Sequence, residues 1–212
     1  MLPATRIAEF ALLAAALIIV PGPNVLFVIS QSLRQGRAAG LAAVVGGQLG
    51  EVVQVCAVAF GIGAVVEASA AVFTIIKLAG AGYLVFLGVQ AIRHRRALAE
   101  ALGAPGGSRP VRRMLIDGFV VGATNPKAIV FFVAVLPQFA DRATGYVPLQ
   151  MMLLGGVFIG IALISDSVWA LVAGTVRGWL ARSPRRLAAI GGTGGLAMIG
   201  IGASLALTGR KD

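Results

Sequence analysis

A single cysteine and a single histidine stand in 212 residues. With Cys56 alone there is no disulfide framework, thiol pair or cysteine-built metal cluster. It reads as a small apolar residue in a helix. His94 lies among arginines in a connector, reads as solvated, and has no second histidine with which to ligate a haem. No cofactor and no resident metal are therefore expected, and an enzyme-like redox carrier is argued against. Charge is scarce too. Asp, Glu, Lys and Arg make up 12% of the chain, against roughly a quarter in a soluble domain.

In their place are apolar residues, 58% of the chain, at a mean hydropathy of +0.92. Long apolar runs joined by short basic connectors identify an integral membrane protein of all-α class. The net charge of +10 does not imply nucleic acid as a partner. The 18 basic residues are gathered where membrane topology puts them, and lipid headgroups account for them. Arg6 is the only early cation and Glu9 opposes it, so residues 8–33 read as a retained first span rather than a cleavable signal.

Six transmembrane helices are predicted, over 8–33, 38–66, 71–92, 114–136, 147–174 and 187–208, each longer than the roughly 20 residues a bilayer core requires. Ser183-Pro184 supplies a start signal for the sixth. Twelve of the 18 cations fall in connectors on one face: Arg34 and Arg37, then Arg93 to Arg113, then Arg177 to Arg186. Arg6, Arg142, Arg210 and Lys211 fall on the other. The positive-inside rule then puts both termini outside the cytoplasm. Residues 94–113 read as a basic cytoplasmic linker, rich in Gly and Pro, between a first three-helix unit (1–93) and a second (114–212).

The two units resemble each other. "GAGYLVFLGVQA" from Gly80 aligns without gaps on "GTGGLAMIGIGA" from Gly192, matching Gly80/Gly192, Gly82/Gly194, Leu84/Leu196, Gly88/Gly200 and Ala91/Ala203. "PGPN" at 21–24 and "TNPK" at 124–127 are both breaks inside apolar segments. Because three spans is an odd number, the expected architecture is a 3+3 inverted-topology repeat with broken helices 1 and 4. Secondary transporters use this construction, and matched interruptions point to their binding site.

Pro21, Gly22 and Pro23 in the first break, and Pro126 in the second, remove amide donors or weaken the helix. Each break must therefore face protein or water. The new helix ends, near Val25 to Phe27 and after Asn125, would present partial positive charge to a carboxylate or another anion. Asn24 is positioned to cap the first of them.

Glu51 is the fourteenth residue of its predicted span, near mid-membrane, where an ionisable group costs about 2.5 kcal/mol or more unless compensated. It is a candidate for binding substrate or exchanging a proton, with Asp166 as a second proton-coupling candidate. Lys127 is the natural counter-charge for either, and the alternative is a structural ion pair. Gln54 lies one turn from Glu51 and shares its face. Among blander residues, Lys77 can snorkel to the outer surface. Asp117 sits in a first helical turn, placed to pair with Arg113. Gly46/Gly50 and Gly156/Gly160 form GxxxG pairs that permit close helix packing. Aligning the glycines of the second and fifth spans sets Glu51 opposite Gly160, not Asp166.

Taken in order, these pieces resemble the LysE/RhtB amino-acid exporters: "PGPN" at 21–24, "LRQGRAAGL" at 33–41, "GQLGE" at 47–51, "LAGAGYLVFLG" at 78–88, "NPKA" at 125–128 and "LPQF" at 136–139. The resemblance covers most of the chain. It implies a multi-pass carrier of the bacterial inner membrane that exports amino acids or close derivatives, driven by proton antiport. The family commonly has Asp where Glu51 stands, a departure that bears on substrate identity and leaves the fold intact. The expected site then comprises Asn24, Val25, Glu51, Gln54, Asn125 and Lys127 for substrate, with Glu51 and Asp166 for the proton. Its partners are a small amino acid, protons and membrane lipid, with a homodimer as an option. The alternatives are an ion or metal exporter of related architecture, which the few carboxylates in the spans disfavour, and a non-transporting membrane scaffold.

Overall fold

The computed structural model describes residues 2–62, 70–93, 110–141 and 144–175, with scattered helical positions from 189 to 207. Among the described residues all regular structure is helical: α1 (Ala4–Ile19), α2 (Pro23–Gln35), α3 (Arg37–Ala57, continued by a π-helical turn over Val58–Ile62), α4 (Ala70–Arg93), α5 (Val111–Ala123), α6 (Pro126–Phe139) and α7 (Val147–Thr175). Most of the predicted sixth span, its Ser183-Pro184 start, the linker segment 94–109 and the Lys77 side chain lie outside the described residues.

Both predicted breaks are present, and proline causes both. A residue that precedes proline is pushed from helical to extended backbone. Val20, before Pro21, has φ −69° and ψ 115°, Gly22, before Pro23, has φ −94° and ψ −172°, and Asn125, before Pro126, has φ −65° and ψ 105°. The helix restarts each time with proline at its first position, where no amide donor is needed. The axis bends by 50° between α1 and α2 and by 46° between α5 and α6. Stretches 37–61 and 147–175 are each long and apolar enough to cross a bilayer, with mean hydropathies of 1.6 and 2.2, and the two bent pairs bring the candidate spans to four. α2 and α3 meet at Gly36 alone, whose φ of +93° lets the chain reverse in one residue.

The most extensive helix contact is between α3 and α5. Its cause is glycine on both sides. A Cβ on Gly46 or Gly50 would strike the backbone of α5 at Leu115, Phe119 and Ala123, and one on Gly118 or Gly122 would strike the backbone of α3 at Ala43 or Gly47. The two main chains are therefore in direct contact, as small-residue interfaces in membranes allow. Gly46/Gly50 packs as expected, against a partner pair the sequence reading missed. The expectation for Gly156/Gly160 is corrected, because neither residue meets a described neighbour within 4 Å. Their face of α7 is turned away from the other described helices.

A cluster of aromatic rings joins α1, α6 and α7. Phe132 and Phe158 lie 4.8 Å apart edge-to-face, Phe131 and Phe158 5.2 Å, and Phe10 packs on Phe139 at 5.5 Å. Beyond it, Arg6 pairs with Asp141 at 3.8 Å, tying the start of α1 to the end of α6. At the opposite end Gln35 reaches Met114, Gly174 lies against Arg37, and Arg113 pairs with Asp117 at 2.9 Å as its spacing predicts. The arginines flanking α2, α3 and α5 thus collect at one end of the bundle.

Valine tests the α3–α5 contact. Gly122→Val places its side chain against the Gly47 carbonyl group and should destabilise the fold by about 1–3 kcal/mol or more, read as a lower melting temperature in detergent. Gly160→Val should leave that temperature unchanged.

Candidate functional site

The two breaks converge. Leu26 N already donates to Gly22 O at 2.9 Å and Ile129 N to Asn125 O at 3.0 Å. The free amides are therefore those of Asn24 and Val25 in α2, and of Lys127 and Ala128 in α6, one residue earlier than the sequence implied for α2. All four residues line one cavity, together with Glu51 from α3 and Asp166 from α7. Two helix N-termini, each carrying partial positive charge, thus meet two carboxyl groups.

The polar contacts across this cavity are reciprocal. Asn24, at the first break, donates its side-chain amide to Asp166 Oδ2 at 3.2 Å, and Asn125, at the second break, donates to Glu51 Oε1 at 3.2 Å. Each half supplies the asparagine for the other half's acid. Gln48, one turn before Glu51 on α3, adds a second bond to Asp166 Oδ2 at 3.1 Å. The sequence reading passed over it, although an i, i+3 relation to Glu51 in "GQLGE" was a usable signal. Asn24 is not the cap expected of it. Gly22 holds the N-cap position, and the Asn24 side chain turns to the acid instead.

Lys127 also points inward, and its ammonium donates to the carbonyl of Val20 at 2.5 Å, where α1 ends. Gly22 leaves room for this side chain: a Cβ there would come within 2.8 Å of Lys127 Cδ. Gln54 lies outside the cavity. Pro126 has no amide to offer the Gly122 carbonyl four residues back, which accepts Asn125 N at 3.1 Å instead. Gln54 Nε2 adds a second bond to that carbonyl at 2.8 Å and donates to the Ala123 carbonyl at 3.0 Å, so it braces the backbone at the break. Ile18, Phe158 and Ala162 close the rest of the wall with apolar surface, so the Phe158 ring of the aromatic cluster forms one side of the cavity.

Asn24, Gln48, Glu51, Gln54, Asn125, Lys127 and Asp166 are each 6% exposed or less. Yet Glu51 Oε2, Asn24 Oδ1, Asn125 Oδ1 and Gln48 Oε1 are buried without a hydrogen-bond partner. An unmade buried bond costs about 1–3 kcal/mol, so these four oxygens are acceptors open to further donors. The cavity is ≈ 20 Å³, room for about one water. An organic ligand requires the helix ends to move apart.

A family model for LysE type translocators matches residues 15–209. The chain is 36% identical over 165 residues to an uncharacterized membrane protein of Vibrio cholerae, covering 77% of this chain and 79% of that protein. It is 30% identical over 194 residues to the leucine efflux protein of Enterobacter sp. (strain 638), covering 90% of each. It is 29% identical over 197 residues to the homoserine/homoserine lactone efflux protein of Salmonella typhimurium, covering 93% of this chain and 94% of that one. No solved structure matches it. The LysE translocators and the two efflux proteins are transporters rather than enzymes, and this chain, matched by the family model over residues 15–209, belongs to the LysE type translocator family.

Proposed function

We propose that the protein is a secondary active transporter that exports amino acids or close derivatives across the bacterial inner membrane in exchange for protons. The observation that carries this reading is the pair of broken helices whose asparagines bond reciprocally to Asp166 and Glu51 around one small cavity. The efflux proteins among its relatives supply the substrate class.

The residues divide the work by charge. The α-carboxylate is the group that two helix N-termini can bind, through the amides of Asn24, Val25, Lys127 and Ala128 with the Lys127 ammonium beside them. The α-ammonium is the group that the unpartnered oxygens of Glu51, Asn24 and Asn125 can accept. Coupling follows from the charge count. Glu51 and Asp166 against Lys127 leave one unit of negative charge when both acids are ionised, and an uncompensated charge withdrawn from water costs several kcal/mol. A proton on Glu51 closes the balance, whereas a zwitterionic substrate adds no net charge but brings its ammonium to the same carboxylate while its own carboxylate goes to the helix N-termini. A carrier that moves between its two faces only when Glu51 is neutralised in one of these two ways exchanges one for the other. A metal exporter fits less well, because a lysine ammonium inside the site repels a metal cation.

Alternating access then consists of the two three-helix units, 1–93 and 114–212, rocking about the cavity as an inverted repeat with both termini periplasmic. The reciprocity of the asparagine–acid pairs supports that pseudo-symmetry, with Glu51 and Asp166 in corresponding roles.

Three measurements test the proposal. Counterflow in proteoliposomes against a panel of amino acids should give uptake of at least one neutral member, and no uptake of any would overturn the reading. Glu51→Gln should lose proton-driven accumulation by about tenfold or more while retaining substrate exchange, since it removes the proton site and keeps the Asn125 contact. Unchanged uphill export would refute the role of Glu51. An alkaline phosphatase domain fused after Asp212 should be active, as a periplasmic C-terminus requires.

A further inference from the structure

Lys127 makes a contact that transport does not obviously need. Its ammonium is buried on the Val20 carbonyl, at the C-terminal end of α1, where the helix dipole is negative. That end borders the same cavity as Glu51 and Asp166. A carbonyl at a helix C-terminus beside two carboxyl groups is the environment that a substrate's α-ammonium would seek. We infer that Lys127 is a tethered stand-in: in the empty carrier its ammonium occupies the subsite that receives the ammonium of the substrate. This rests on the exporter reading above and extends it to the resting state of the site.

Arrival of substrate then displaces one ammonium by another. The incoming amine takes the Val20 carbonyl and the free oxygen of Glu51, and Lys127, released on its flexible stem, turns to the substrate carboxylate at the helix ends. A tethered competitor acts at an effective concentration of about millimolar or above, so it excludes stray cations from the empty site while a zwitterion, which supplies both charges, can still enter. Gly22 is part of the device. Its backbone is extended, φ −94° and ψ −172°, a conformation open to alanine, and the nearest atoms to a Cβ there are Lys127 Cδ at 2.8 Å and Nζ at 3.3 Å. An added methyl group therefore meets the lysine side chain and not the main chain.

The test uses n-propylammonium, an amine without a carboxylate, as an inhibitor of counterflow of whichever amino acid the panel identifies. In the wild type Lys127 holds the subsite and inhibition should be weak. Lys127→Met empties the subsite and should lower the inhibition constant by about tenfold, the value of one charge-assisted hydrogen bond. Removing a cation also strengthens any cation's binding through general electrostatics, so Gly22→Ala decides between the two. It keeps the charge, displaces the ammonium, and should lower the constant by about threefold or more. Improvement in Lys127→Met alone, or in neither variant, overturns the assignment. Should Lys127→Met fail to reconstitute, the Gly22→Ala result stands by itself. A wild type that carries no member of the panel counts against the exporter reading, whereas normal transport with unaltered inhibition counts against Lys127 alone.

Discussion

In a bilayer every backbone amide and carbonyl must find its partner within the protein, and the two proline breaks violate the simplest way of meeting that demand. Most of the polar architecture compensates for them. Lys127 reaches across to the Val20 carbonyl left by the first break, and Gln54 joins Asn125 N on the Gly122 carbonyl and donates to the Ala123 carbonyl at the second. What remains uncompensated is the set of amides at the two new helix starts, together with the unpartnered oxygens of Asn24, Glu51 and Asn125 around the same cavity. These groups face one another rather than lipid, so a local defect in two helices becomes a single shared site.

The glycine contact between α3 and α5 makes that convergence geometrically feasible. With main chains touching at Gly46, Gly50, Gly118 and Gly122, the helix bearing Glu51 is drawn against the helix that ends at Ala123, two residues before Asn125. A larger residue at any of these positions would hold the acid away from its amide donor. Packing and chemistry are thus linked through backbone proximity, and the aromatic cluster of Phe10, Phe131, Phe132, Phe139 and Phe158 fills the space between the cavity and the end of the bundle that carries Arg6 and Asp141. The site in this arrangement has room for about one water.

Much of this was legible in the chain. Asn24, Glu51, Asn125, Lys127 and Asp166 can all be picked out as polar residues at membrane depth, and all five line the cavity. Their pairing was not legible. Asn24 reads locally as a helix cap, but its side chain crosses to a residue 142 positions away. Glu51 and Asp166 fail to align by sequence because glycine spacing differs in their helices, yet they receive equivalent asparagine contacts from opposite halves. Gln54 shares a turn with Glu51 and was expected to share its site, but its side chain donates to the Gly122 and Ala123 carbonyls of the bent α5–α6 junction instead.

The sequence by itself determined where the helices stop and restart, because proline acts on its own residue and the one before it. It also determined that the chain lives in a membrane and which connectors carry the arginines, since both follow from composition along the chain. Only the tertiary structure decided which glycines touch, which asparagine serves which acid, and where the lysine ammonium rests. The asparagine–acid and lysine contacts alone join residues 74 to 142 positions apart. They depend on the rotation and tilt of whole helices, which side-chain spacing within one helix does not specify.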